Sequence, residues 1–263
     1  MNAEDVKTVS KTHPSVLEPA VSCTAKMLCL EVIAWKELKH PSILEFIGIY
    51  HEQRAEYQPG FYLVSPLMEH KSTKSFVANQ DVSVSEINRL LRETLAGLAF
   101  IHEWGFIHGD VRAVDILVDE KKHARLADFG LRTIITRADA VAQNFTAGEE
   151  KATNARWLAP ELLHVTSYSA AGDVYAFGCV VLELYTGEDP FPNTADTLIH
   201  GQVSGYVKPW SQPPKSAKPP SIRRTMGGDL WNLVQKCWSR DPKGRPTASD
   251  ALDEMYKITG GRG

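Results

Sequence analysis

From Asp173 to Thr186 the sequence reads DVYAFGCVVLELYT, apolar nearly all round, and it stops at Gly187. A helix without a polar face cannot rest on a surface, so other elements must wrap it. The flanking sequence supplies them. Ser83-Val84-Ser85-Glu86 is a capping box, and the stripe Ile87, Leu90, Leu91, Leu95, Leu98 and Ile101 predicts a long helix to about His102. Two amphipathic helices close the chain, one turning Leu230, Leu233, Val234 and Cys237 inward and one opened by Thr247-Ala248-Ser249-Asp250. A complete, mainly helical lobe is expected over residues 69–263.

The first 68 residues differ in character. Between Pro19 and Pro41 a breaker-free stretch spaces Met27, Leu30, Ala34 and Leu38 for one helix, and the runs Ile43 to Tyr50 and Phe61 to Met68 are strand candidates. The fold class is therefore α+β, one domain over 1–263 with a small first lobe and a larger helical one. Lys208 to Pro220, rich in Pro, Lys and Ser, reads as an exposed connector. A net charge of -3 gives no field to gather nucleic acid or an anionic surface. Cys23, Cys29, Cys179 and Cys237 have neither metal-site spacing nor the density of a disulfide scaffold, and buried free thiols suit a reducing compartment. No apolar run is long enough to span a membrane, and the first residues lack the order of a signal peptide. A cytosolic or nuclear setting, without membrane insertion, is expected.

The chemistry is concentrated in three loops: His108-Gly109-Asp110-Val111-Arg112-Ala113-Val114-Asp115-Ile116-Leu117-Val118, then Asp128-Phe129-Gly130, then Arg156-Trp157-Leu158-Ala159-Pro160-Glu161. With Glu31 before them and Gly244-Arg245-Pro246-Thr247 after, their order and spacing resemble the protein kinases, whose signatures are H-R-D-L-x-x-x-N, D-F-G and A-P-E. The wording Arg-Trp-x-Ala-Pro-Glu is most similar to the tyrosine-kinase-like group of mostly Ser/Thr kinases. The resemblance covers roughly residues 5 to 258 and implies a two-lobed kinase fold, ATP and Mg2+ as cofactors, and a protein substrate or signalling partner.

Carried residue by residue, the resemblance makes Asp110 the acceptor of the substrate hydroxyl proton and Asp128 a magnesium ligand. Arg112 stands where Ser/Thr kinases usually have lysine, either steadying the transferring phosphate or serving a structural ion pair. Asp115 replaces the usual asparagine as second metal ligand. Its extra negative charge near the phosphates is expected to preserve metal binding while slowing catalysis. Gly109 replaces an arginine that clamps a phosphorylated activation loop, so phosphorylation at Thr133, Thr136, Thr146 or Thr153 is not expected to be the on-switch. Leu117 would lie under adenine. Met68 would serve adenine from a hinge in which Ser65 is the gatekeeper and Pro66 has no N–H to give. Glu161 with Arg245 resembles a buried brace, and Asp173 an anchor for the catalytic-loop backbone.

No glycine-rich phosphate loop precedes Glu31, so the first lobe is expected to be incomplete, with its first strands missing. Lys7 is the candidate partner of Glu31, with Lys11 and Lys26 as competitors. Three functions stay open: slow transfer of the ATP γ-phosphate to Ser or Thr hydroxyls, a pseudokinase scaffold, and an ATP-sensing binding module.

Overall fold

The small lobe is organised by a three-stranded antiparallel sheet in which β1 (Val9–Ser10) and β2 (Gly48–Glu52) flank β3 (Gly60–Val64). The computed structural model describes residues 9–10, 32–33, 35–52, 60–127, 155–163, 168–212 and 225–260. Ile49 pairs with Leu63 and Tyr50 with Tyr62 across β2 and β3. Residues 32–33 and 35–37 are helical, at the end of the stretch predicted as the first helix. Trp35 is buried there, its indole N–H donating to the Leu44 carbonyl at 2.7 Å.

Both predicted strands are shorter than the apolar runs suggest. The run from Ile43 becomes strand only at Gly48, because its first residues bond to the other lobe: Leu126 N–H donates to the Ser42 carbonyl at 2.8 Å, and Leu44 N–H to the Leu126 carbonyl at 2.9 Å. The run from Phe61 ends at Val64, ahead of Ser65 and Pro66, and a proline cannot donate to a ladder.

In the large lobe, α1 (Thr73–Asn79) leads into α2 (Val84–Glu103), where Ser83 and Glu86 close the predicted capping box. All six stripe residues of α2 are fully buried, each worth about 1.5–3 kcal/mol of burial. The hairpin of β4 (Ile116–Val118) and β5 (Ala124–Leu126) precedes the central helix α3 (Ala170–Thr186). This helix begins three residues before Asp173 because Ser169 caps it, accepting from the Gly172 N–H. Every residue from Gly172 to Thr186 is buried. α5 (Gly228–Cys237) packs against it, α6 (Ala248–Thr259), opened by a Thr247–Asp250 capping box, lies on α2 and α5, and α4 (Asp196–Ser204) packs with Leu163 and Phe191 in a separate cluster.

Two glycines of α3 have different reasons to be there. A Cβ on Gly178 would lie 2.7 Å from Trp238 Nε1, so its absence lets α5 and the following residue approach. Gly187 ends the helix at φ 73°, donating to the Glu183 carbonyl at 2.8 Å. Cys179 and Cys237 are buried free thiols, and burial pushes Cys237 up to about 12. Cys23 and Cys29 lie outside the described residues, as does most of the Lys208 to Pro220 connector.

Candidate active site

The helix that most constrains the fold also holds the loop expected to carry the chemistry. Asp173, in the first turn of α3, is 2% exposed and reaches the loop backbone with both oxygens. Oδ2 accepts from the His108 N–H at 2.9 Å and lies 2.8 Å from His102 Nε2, while Oδ1 accepts from the Gly109 N–H at 2.8 Å. His108 is fully buried. Its Nδ1 accepts from the Asp110 N–H at 3.3 Å, so Nε2 carries the proton and donates to the Ala127 carbonyl at 2.9 Å. Gly109 has φ 81°, a left-handed conformation that an arginine would occupy only with strain.

Arg112 lies between the two acids of the loop. Its Nη2 donates to Asp110 Oδ2 and its Nε to Asp115 Oδ2, each at 2.8 Å. Burial works against its charge, but Asp110 and Asp115 outweigh burial and hold the guanidinium charged beyond its ordinary range. The guanidinium also lies 5.8 Å from the centre of the Trp157 ring. Of the two roles open for Arg112, the structural ion pair is therefore formed in this conformation.

Met68 and Leu117, the residues expected to serve adenine, are both half-buried and packed against the main core. Ser72 bridges Leu117, and the Met68 carbonyl accepts from the Lys71 N–H at 3.0 Å, turning the chain out of the hinge. Ser65 is 5% exposed. An apolar floor beside hinge amides fits a purine, and the Asp115 carboxylate oxygens fit a hard cation such as Mg2+. The Asp115 carbonyl accepts from the Ala127 N–H at 3.1 Å, which brings its backbone beside the residue preceding Asp128. Lys7, Glu31 and Asp128 lie outside the described residues, as do Lys11, Lys26 and the four activation-loop threonines. Among the described residues no group of three or more His, Cys, Asp or Glu side chains could hold a metal ion.

The far side of the loop is braced by ion pairs. Glu161 and Arg245 form a two-bond pair at 2.6 and 2.8 Å, and Arg245 also donates to the Ala171 carbonyl at 2.9 Å. Arg156 bonds Asp196 and the carbonyls of Pro190, Phe191 and Thr194. Sequence reading assigns no role to Glu183, yet it is buried beneath the loop, accepting from the Ala113 N–H at 3.1 Å and the Trp157 indole at 2.8 Å. A single acid late in an otherwise apolar helical run was the available signal.

Comparison with known proteins accords with this geometry. The protein kinase domain pattern matches residues 6–257. The chain is 30% identical over 239 residues to rat receptor-interacting serine/threonine-protein kinase 3, covering 89% of this chain and 49% of that protein. It is 29% identical over 231 residues to mitogen-activated protein kinase kinase kinase ANP1 of Arabidopsis thaliana, covering 86% and 31% respectively. It is 28% identical over 235 residues to Drosophila melanogaster tyrosine-protein kinase Abl, covering 86% and 13%. The chain thus spans half or less of the length of these relatives. No helix among the described residues is long and apolar enough to cross a membrane. An aspartate loop anchored on a buried central helix, a Glu161–Arg245 brace and a pattern match over nearly the whole sequence have one common explanation: the chain belongs to the protein kinase domain family.

Proposed function

We propose that this chain transfers the γ-phosphate of ATP to Ser or Thr hydroxyls of a protein substrate, with a turnover slowed by Asp115. The observation that carries the proposal is the Asp110 carboxylate, held by Arg112 on a loop whose backbone is fixed by Asp173. Positioning and charge neutralisation supply most of phosphoryl-transfer catalysis, so a fixed carboxylate is the group that matters most.

In this reading Asp110 takes the proton of the substrate hydroxyl and aims its oxygen. Arg112 fixes the Asp110 rotamer, and its guanidinium is of the kind that would pair with a phosphate oxygen. Met68 and Leu117 would hold adenine, Glu31 with Lys7 the phosphates, and Asp115 and Asp128 Mg2+. A bound Mg2+ would supply neutralisation of phosphate charge there. Ser/Thr specificity is proposed on the likeness to relatives whose names carry that activity. A second reading, nucleotide binding without transfer, is favoured by the same Arg112 bridge, because it engages the Asp110 Oδ2 that would otherwise face a substrate hydroxyl.

Phosphate incorporation into a Ser/Thr peptide library from Mg2+-ATP, measured beside the thermal shift caused by ATP, tests both. Transfer that disappears in Asp110→Ala while the shift persists is the expected result. A shift without transfer in the unaltered chain supports the second reading. Transfer retained by Asp110→Ala would remove Asp110 from its role.

A further inference from the structure

Glu183 lies on α3, 2% exposed, and its Oε2 receives hydrogen bonds from two separate segments. One is the Ala113 N–H of the catalytic loop. The other is the Trp157 indole, from the segment that leads into Ala159-Pro160-Glu161. Its Oε1 is buried without a hydrogen-bond partner among the described residues, and Lys74 Nζ on α1 stands 3.8 Å from it. Lys74 in turn bonds Asp189, on the segment after α3.

The side chains of Lys74 and Asp189 are 33% and 43% exposed, so this pair reaches solvent while Glu183 does not. An ionised carboxylate makes stronger bonds to two N–H donors than a protonated one, and an unpartnered buried oxygen makes the ionised form depend on the nearest cation. The charged and titratable groups that act on Glu183 or feel it are Lys74, Asp189, Arg112 and Cys179. Burial lifts the Glu183 carboxyl to about 7, with Trp157, Ala113 and Lys74 pulling it down and Asp189 pushing it up.

We propose that Glu183 is a positioning residue that couples the Trp157 segment to the catalytic loop, and that Lys74, shared between Glu183 and Asp189, sets the strength of that coupling from the surface. It rests on the reading of this loop as the phosphoryl-transfer site and names what aligns it with the segment beside it. Lys74 moving toward Glu183 stabilises the ionised, two-bond form and locks Trp157 to Ala113. Lys74 held by Asp189 leaves Glu183 to take up a proton, and the lock weakens.

The decisive measurement needs no turnover. In the full chain labelled with 15N-tryptophan, six indole resonances are present, and Trp157→Phe identifies the one bonded to Glu183. Between about pH 5.5 and 8.5 that resonance is expected to move with a midpoint near neutrality, and to stop moving in Glu183→Gln. Lys74→Met should carry the midpoint to higher pH and Asp189→Asn to lower pH, so the proposal is tested even where Glu183→Gln folds poorly. A Trp157 resonance that stays still across the range, or that titrates equally in Glu183→Gln, overturns the coupling. Midpoints unmoved in both surface variants overturn the role of Lys74. With phosphotransfer present, Glu183→Gln should lower kcat roughly tenfold, leave the ATP KM unchanged and remove the change in kcat near neutral pH. A lowered kcat that keeps the unaltered chain's pH profile would reduce Glu183 to a structural group. Absent phosphotransfer with an intact titration removes only the catalytic reading.

Discussion

At Arg112 one cation is held between two acids, and the consequences of removing it can be worked out from charge alone. Arg112→Ala leaves Asp110 and Asp115, 10% and 13% exposed, without their shared counter-ion. Truncating one member of a partly buried, charge-assisted network costs about 1–3 kcal/mol. The loss is expected in denaturant titrations at neutral pH, and Arg112→Lys, which keeps the charge, should recover part of it. A lysine variant as unstable as the alanine one would mean that Arg112 acts by packing on Trp157 and not by charge. Gly109 makes a second residue-scale case. Its φ of 81° is one that L-residues avoid by about 1–2 kcal/mol, so Gly109→Ala should lower stability by that order while the Asp173 hydrogen bond survives. An unchanged melting temperature would show that the loop accommodates a side chain there. The sequence reading treats Gly109 as a missing phosphate clamp. The backbone adds a conformational reason for glycine that no motif reveals.

At the scale of elements, α3 works because nothing on it except Asp173 and Glu183 asks for charge compensation. Its contact with Trp238 depends on Gly178, where an added methyl would meet the indole at 2.7 Å. Gly178→Ala is expected to destabilise by about 1–3 kcal/mol through overpacking, measured as a lower midpoint in guanidinium with an unchanged slope. A neutral result would mean that α5 can slide away from α3. This helix and α2 were the most legible parts of the sequence, because a helix buried on all sides and a capped apolar stripe both follow from composition and spacing alone. Strand ends were less legible. Ile43 looks as strand-like as Ile49, yet the Ser42–Leu44 backbone bonds Leu126, some eighty residues later in sequence, a contact that local pattern does not encode. The site divided in the same way. His108, Asp110 and Asp115 are marked by spacing, and Asp173 meets the loop backbone as the family resemblance implies. The bridge of Arg112 to both acids, and the junction of Ala113, Trp157 and Glu183, depend on side-chain directions fixed only when three segments converge.

For the whole molecule, Glu183 makes stability depend on pH in a direction opposite to that of an ordinary paired carboxylate. Its carboxyl rises from about 4.5 to about 7 on folding, chiefly through burial, so the folded state holds a proton that the unfolded state has released. The contribution is fully present below pH 4.5 and is lost as pH climbs through 7, an effect on the order of 3 kcal/mol. Other groups run the other way. His40 is lowered by burial and by Arg125, so its share is present above its usual 6.5 and fades below it. Asp119 is pushed up by burial but brought below its ordinary value by hydrogen bonds from His123, Arg125 and Lys121, so its contribution disappears only in acid. Raw stability against pH therefore mixes opposing slopes, and the informative quantity is the difference between the unaltered chain and Glu183→Gln. That difference should favour the unaltered chain most at about pH 5 and decline steadily toward pH 8, because glutamine cannot release a proton. In Asp189→Asn, where Lys74 is left to Glu183 alone, the decline should start at the same pH but level off at lower pH, and so be smaller. If the difference is flat between pH 5 and 8, Glu183 does not change its charge across that range, and its junction with Trp157 and Ala113 is a fixed brace.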